Sequence, residues 1–466
     1  MGDVGIVGDR IAGVGDLGHA AASRTIDISG KAVSPGFIDV HAHDDNAVLA
    51  APDCLPKISQ GVTTVVVGNC GISAAPVRLR DRPPEPLNLL GDQDDFVFES
   101  FRHYVEAVDA CRPAVNVAAL VGHTSLRINR VGDLSRAAGP AEAAAMRKDM
   151  ERAMAQGAIG LSTGLAYDNA FAATSDEVLG LARIAAGYEG VYTTHLRSEF
   201  DSIIEALDES FAIGSEAGLP VVVSHLKCAG PQNWGRSREV LAAVEASPYR
   251  DHIHMDCYPY CAGSSNLDLK QVDERVDILI TSSEPHPDQA CKTLAQIAAE
   301  WGMTQMDTAR RLMPAGALYF SIDERDMRNI LRHPRTMIGS DGLPLDPHPH
   351  PRLYGTFPRV LGRYVREESL LSLPQAVHKM TAMPASVFGF RDRGMLKAGY
   401  HADLVIFDPG TINDSATFDQ PIQQAWGIDL VLVNGAVAWA QGQVTGSRRG
   451  RYIGHKNATL LSKEPA

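Results

Sequence analysis

The sequence predicts an α/β protein: a closed barrel of eight strands and eight helices, with a small β-sandwich domain built from both ends of the chain. Three observations point there. From Pro35 to about Phe390, apolar strand-like runs alternate with helix-like stretches in about eight units, the pattern of a parallel sheet with helical crossovers. Residues 1–32 and 391–466 show strand patterns without intervening helices. No glycine-rich phosphate fingerprint follows an early strand, which argues against an open dinucleotide-binding sheet. The expected architecture is a TIM-type (β/α)8 barrel over residues 33–390 and a β domain shared by 1–32 and 391–466.

In order along the chain, Asp3–Ala12 reads as a hairpin about Gly8-Asp9, a turn signal between apolar runs. The barrel strands are expected at Val62–Val67, Val115–Val121, Ile159–Ser162, Val191–His195, Pro220–His225, His252–Tyr258 and Thr336–Ser340. The first of the series is the short apolar run Phe37–Val40. Helices are expected at Ala141–Gln156, Ser175–Ala186, Asp201–Glu216 and Arg238–Ala246, with Ser175 and Ser198 as N-terminal cap signals. Residues 262–333 interrupt this rhythm. Their two helical stretches, Asp288–Trp301 and Asp307–Met313, suggest an insertion over the barrel mouth, or an elongated crossover. After Phe390, Asn434-Gly435 between alternating apolar runs is a strong hairpin signal. Residues 455–466 are expected to fray, and the basic run Gly446–Arg451 to be solvated.

Composition narrows the function classes. With 466 residues, 45% hydrophobic and 21% charged, core size is not limiting. A net charge of −13 with scattered basic residues makes nucleic acid an unfitting partner. Seven cysteines, an odd number, do not form a disulfide framework. There is neither a signal peptide nor an apolar run that would span a bilayer, so a cytoplasmic protein is expected, with no membrane partner.

The chemistry concentrates at predicted strand ends. Pro35-Gly-Phe-Ile-Asp-Val-His41-Ala-His43 ends an apolar run in two histidines two apart. The side-chain period of a strand is two, so both imidazoles face one way, as ligands of one metal ion would. Cys70 follows Val65-Val-Val-Gly-Asn, His195 ends Val191-Tyr-Thr-Thr, His225 ends Val221-Val-Val-Ser, and Asp341 ends Met337-Ile-Gly-Ser. The strand C-termini of a barrel converge on one rim, where active sites lie. His41, His43, Cys70, His195, His225 and Asp341 would then share one metal site. Any one of them alone is more simply a rim or core residue. His123, after Val121-Gly, either contacts substrate or lines the rim. His348 and His350 read as loop histidines, and Cys228, Cys257 and Cys261 lack zinc-ribbon spacing.

These residues, with Gly68-Asn-Cys70-Gly, Gly160-Leu-Ser-Thr-Gly, Ser224-His-Leu-Lys227, Asp256-Cys-Tyr258-Pro-Tyr260 and Gly399-x-x-Ala-Asp403, resemble the amidohydrolase superfamily. Within it the chain is similar to the D-aminoacylases, the N-acyl-D-amino-acid deacylases. The resemblance spans nearly the whole chain. It implies zinc-dependent hydrolysis of a linear amide, releasing a carboxylate and a free D-amino acid from a small N-acyl-D-amino acid substrate. D-specificity comes from the resemblance alone.

The resemblance also assigns roles. A tight zinc would be held by Cys70, which takes the place of the carboxylated lysine of other amidohydrolases, together with His195 and His225. A second, weaker position would use His41, His43 and Asp341 with Cys70. Asp341 would take a proton from the attacking water and pass it to the leaving amine, and Tyr258 would help stabilise the oxyanion. Arg352, eleven residues after Asp341, would hold the substrate α-carboxylate in a bidentate contact, with Lys227, Tyr167 and Ser264 around the substrate. Compared with the family pattern, the chain starts inside its β domain, so that domain is expected to lack an edge strand or to have one upstream. Two other readings stay open: a cyclic-amide hydrolase of hydantoinase or dihydroorotase type, and a non-catalytic zinc-binding homologue.

Overall fold

The computed structural model describes residues 2–455; Met1 and residues 456–466, where fraying was expected, lie outside it. Six strands pair in parallel in the order Val121–Gly122, Gly160–Gly164, Val191–His195, Val221–Val223, Ile253–Cys257 and Thr336–Ile338. Three more, Phe37–Asp39, Val62–Val67 and Asn116–Ala119, pair in parallel beside them. The two sheets meet at both edges. Asn116–Ala119 runs on into Val121–Gly122, and Ile159 N–H donates to Ala119 O at 3.0 Å. At the other edge Ala42 bridges Gly342, and Asp341 N–H donates to His41 O at 2.7 Å.

All six residues of Val62–Val67 are buried, as a strand covered on both faces requires. The helices start where local chemistry satisfies their free N–H groups. Pro140–Ala155 has Pro at its first turn, and Glu142 reaches back to accept from Gly139 N–H at 2.7 Å. Ser175–Gly187 is capped by Thr174, not by Ser175: the Thr174 hydroxyl accepts from Glu177 N–H. Ser198 does not cap Ile203–Ala217; it closes a tight turn onto Phe200 N–H instead.

The insertion holds more than helices. Gly263–Asn266, Ala315–Tyr319 and Ile278–Ser283 form an antiparallel sheet. Together with helices Leu294–Trp301 and Gln305–Leu312 they bury their own cluster, including Ile278, Ile280, Leu294, Ile297, Leu312 and Ala317. The expected helix over Asp288–Trp301 begins only at Leu294, where Thr293 and Gln296 form a capping box.

At the chain ends, Ala32–Pro35 pairs antiparallel with Leu404–Phe407, which continues through Ile428–Val433, Ala436–Ala440 and Gln443–Val444 into a five-stranded sheet. The hairpin Asp3–Val7 and Arg10–Gly15 packs Ile11 against Ala402, Leu404 and Leu432. Asn434 (φ 47°) and Gly435 (φ 81°) make the second hairpin turn with both residues left-handed. Arg448, Arg449 and Arg451 are exposed, but the backbone there is not free. Val117 N–H donates to Arg451 O, and Ile453 N–H to Val117 O. Among the described residues no helix is long and apolar enough to cross a membrane. All seven cysteines are free thiols.

Candidate metal centre and active site

The residues singled out at strand ends converge. His41 and His43 lie just past Phe37–Asp39, Cys70 three residues past Val62–Val67, His195 at the end of its strand, His225 two residues past Val221–Val223 and Asp341 three past Thr336–Ile338. Cys70 (φ 53°), His225 (φ 35°) and Asp341 (φ 49°) adopt left-handed backbone, which side chains with a Cβ rarely do. A sharp turn at each strand end aims these side chains inward, and such strain persists only where surrounding structure enforces it.

One atom each from His41, Cys70, His225 and Asp341 lies within 4.8 Å of the others, and all four residues are buried. His41 Nε2 is 3.2 Å from Cys70 Sγ and 3.3 Å from an Asp341 oxygen. Cys70 Sγ is 3.4 Å from His225 Nε2, and His43 Nε2 is 3.1 Å from Asp341 Oδ1. The His195 ring stands edge-on to His225, with centroids 4.5 Å apart.

The electrostatics have one sign. Burial alone would raise the Cys70 thiol, but the His41 and His225 imidazoles, with hydrogen bonds from His195 and His225, hold it well below its ordinary value. Burial likewise opposes ionisation of Asp341, yet Arg352, His41, His225 and the His43 hydrogen bond keep its carboxyl well below the usual range. His43 and His225 are pulled up to about 9 despite burial, chiefly by Asp341 and Cys70 for His43 and by Glu199 and Cys70 for His225. By contrast, burial pushes Cys228 up to about 12. A thiolate, a carboxylate and imidazoles that all seek positive charge form a donor set that a divalent cation satisfies.

Three supports stand behind these groups; Glu199 and Lys57 had no signal of their own in the sequence, and Asp256 was marked only as part of the motif Asp256-Cys-Tyr258-Pro-Tyr260. Asp256 lies 3.2 Å from His41 Nδ1 and accepts from His225 N–H at 2.8 Å, so it orients one imidazole and the backbone of another. Glu199 sits within 2.9 Å of His225 Nδ1 and 2.5 Å of Lys227 Nζ. The ammonium of fully buried Lys57 meets Asp39 at 2.9 Å, Asp44 at 3.0 Å and Ser340 Oγ at 2.8 Å. Asp39 also accepts from Ser340 N–H at 2.8 Å, which ties the Asp341 turn to the first strand.

Of the expected substrate residues, Arg352, Tyr258, Tyr167 and Lys227 lie beside this centre. Arg352 is fully buried with Nη1 2.8 Å from Asp341 Oδ2, and its guanidinium stacks 4.5 Å over the Tyr258 ring. The angle to Asp341 is poor for a hydrogen bond, so Nε, Nη1 and Nη2 all lack an aligned acceptor. Tyr258 Oη and Ser264 Oγ are also buried without a protein partner. Tyr167 packs its ring 4.9 Å from His195. Lys227 is joined to the centre through His225 and Glu199. His350 Nδ1 accepts from Arg352 N–H, and His348 bonds Phe418 O, so neither joins the metal cluster. His123 is buried against Glu177 at 2.9 Å, away from the cluster.

The amidohydrolase family profile matches residues 24–304 and 269–438. A D-aminoacylase of Alcaligenes xylosoxydans xylosoxydans is 50% identical over 97% of this chain and 93% of its own length. An N-acyl-D-glutamate deacylase of the same organism is 48% identical over 94% and 90%. Among solved structures, a D-aminoacylase described as defining a subset of amidohydrolases superposes with a TM-score of 0.95 at 50% identity, covering 97% of this chain and 96% of that one. The N-acyl-D-glutamate deacylase of Bordetella bronchiseptica, complexed with zinc and a phosphonate mimic of the tetrahedral intermediate, gives 0.93 at 48%, covering 97% and 95%. With this cluster, these parallel strands and identity near one half over nearly its whole length, the chain belongs to the amidohydrolase family, in its D-aminoacylase branch.

Proposed function

We propose that this enzyme hydrolyses the linear amide of N-acyl-D-amino acids with a divalent metal, zinc by analogy with its relatives, giving a carboxylate and a free D-amino acid. We further read the nine parallel strand segments as the eight staves of a TIM-type barrel, because Asn116–Ala119 and Val121–Gly122 are one interrupted strand. The barrel begins after Pro35, not at residue 33 as expected, since Ala32–Pro35 belongs to the terminal sheet. The described residues of 1–32 and 391–466, with residues 33–35 of the strand that pairs with Leu404–Phe407, then make the β-sandwich. Seven free thiols suit a reducing cytoplasm.

The observation that carries the functional reading is Arg352. A buried guanidinium with no aligned acceptor, beside the metal-ligand cluster, is a built receptor for a planar anion. An α-carboxylate placed there sets the neighbouring amide against Asp341. Cys70, His195 and His225 would hold one ion, and His41, His43 and Asp341 with Cys70 a second position. When bound, such an ion supplies Lewis acidity to the scissile carbonyl and makes water a nucleophile near neutral pH.

The chain's own groups do the rest. Asp341 is a carboxylate near neutrality, able to accept the proton of the attacking water and return it to the leaving amine. Tyr258, whose phenol is raised to about 12 by burial, stays protonated, and its hydroxyl donates to the developing oxyanion. Lys227, Tyr167 and Ser264 line the substrate. The hydantoinases that share the fold at 16–18% identity support the architecture only.

The test is amine release by zinc-loaded protein from N-acetyl-D- and N-acetyl-L-amino acids across side-chain types, with hydantoin and dihydroorotate as cyclic controls. Turnover confined to the D-series is expected. Turnover of the cyclic compounds alone would overturn the deacylase reading.

A further inference from the structure

We propose that His350 is a positioning residue: its imidazole fixes where Arg352 opens its helix, and so where the guanidinium meets the substrate carboxylate. This rests on the deacylase reading only for what Arg352 binds. The helix Arg352–Arg359 has no side-chain cap from Pro351, the residue before it. The first N–H groups of a helix have no partner inside it. Here His350 supplies both partners. Arg352 N–H donates to His350 Nδ1 at 2.9 Å, and Leu353 N–H donates to His350 O at 3.0 Å. The guanidinium itself has no aligned acceptor, so its place is set by its backbone and by the Tyr258 ring beneath it.

Both ring nitrogens of His350 ask for the same tautomer. Arg352 N–H can only donate, so Nδ1 is bare. Ala262 O, 3.0 Å from Nε2, can only accept, so Nε2 carries the proton. Burial, with the Arg352 guanidinium nearby, holds His350 well below its ordinary value, and the ring stays neutral. The ring is buried among three aromatic rings. Tyr260 and Phe418 stand edge-on at 5.1 and 5.0 Å between centroids, and Tyr258 lies at 6.3 Å. Phe418 comes from the segment between Leu404–Phe407 and Ile428–Val433 of the terminal sheet, and Ala262 from the start of the insertion. Barrel, insertion and terminal sheet thus meet on one imidazole, two residues from the guanidinium.

The experiment measures kcat and KM of zinc-loaded His350→Leu and His350→Asn for an N-acetyl-D-amino acid that the wild type turns over, and for its carboxamide, which lacks the carboxylate. Leu keeps apolar bulk among Tyr258, Tyr260 and Phe418 but offers no acceptor. Asn gives up that bulk, yet its side-chain oxygen accepts from an N–H two residues on. In His350→Leu, KM for the acid is expected to rise about tenfold, with kcat and the carboxamide's KM little changed. His350→Asn is expected to restore most of the binding lost in His350→Leu. A crystal structure of His350→Leu is expected to show the guanidinium moved off the Tyr258 ring, whatever substrate the enzyme takes. An unmoved guanidinium, a rise in KM shared equally by acid and carboxamide, or a larger loss in His350→Asn than in His350→Leu would each overturn the proposal. If His350→Leu does not fold, His350→Asn decides by itself, and a lost preference for the acid over the carboxamide overturns the positioning role. Wild-type protein that hydrolyses no N-acyl-D-amino acid would sink the deacylase reading alone, since the crystal structure still tests the positioning.

Discussion

Lys57 Nζ lies 2.9 Å from Asp39 Oδ2 in a place where neither side chain has any solvent exposure. Asp44 completes the group at 3.0 Å, so one ammonium serves two buried carboxylates. Removing one partner of a buried ion pair leaves charge uncompensated, at roughly 3–5 kcal/mol. Lys57→Met is therefore expected to be strongly destabilising, measured as a large loss of denaturant midpoint. A stability near wild type would show that the network is not holding the Asp341 turn.

Asp341→Asn keeps the size of the side chain and removes the base. Turnover is expected to fall by about 10²–10⁴-fold, the usual contribution of a placed acid–base group, while zinc remains bound through Cys70, His195 and His225. Metal analysis beside a steady-state assay checks both halves. Near-normal activity would remove Asp341 from proton transfer.

Arg352→Lys preserves charge but not the planar fork. Its stacking on Tyr258 at 4.5 Å is lost with it. KM is expected to rise at least tenfold, and more for acyl amino acids than for the corresponding acyl amides, which lack the carboxylate. An equal effect on both substrates would mean that Arg352 does not read that group.

Acid stability should track Glu177. Burial alone would raise its carboxyl, but contacts with His123 and Arg127 bring it down to about 2. Burial holds His123 below its own ordinary value, so near neutrality Arg127 carries the charge of this pairing. A folded-state value below the unfolded one stabilises above about pH 4.5, and the stabilisation is lost as pH falls toward 2. At most about 3 kcal/mol is involved. Glu177→Gln is expected to lower stability at pH 7 and flatten the decline between pH 4.5 and 2. An unchanged acid limb would assign it to other carboxylates.

The candidate cluster was legible because its residues obey a rule of position: each follows an apolar run, and parallel strands deliver such residues to one rim. His41 and His43 lie past the end of Phe37–Asp39, yet their spacing of two still brings both to Asp341. Glu199 was not legible, since it sits four residues beyond His195 in a loop and takes its meaning from Lys227 and His225, which arrive from the next strand. The strand Gly263–Asn266, of sequence Gly-Ser-Ser-Asn, has no strand preference and is made by pairing with Ala315–Tyr319. Thr174 rather than Ser175 caps its helix because the extended backbone falls one residue earlier.

The sheet that joins the chain's ends sets a schedule on synthesis. Lys31 meets Asp408, 377 residues later, and Ala32–Pro35 finds its neighbour strand only at Leu404–Phe407. At roughly 5–20 residues per second on a ribosome, the leading segment waits about 20–75 s for its partner to emerge. During that interval Ala32–Pro35 has no strand to pair with, so the five-stranded sheet closes only after Leu404–Phe407 has been made.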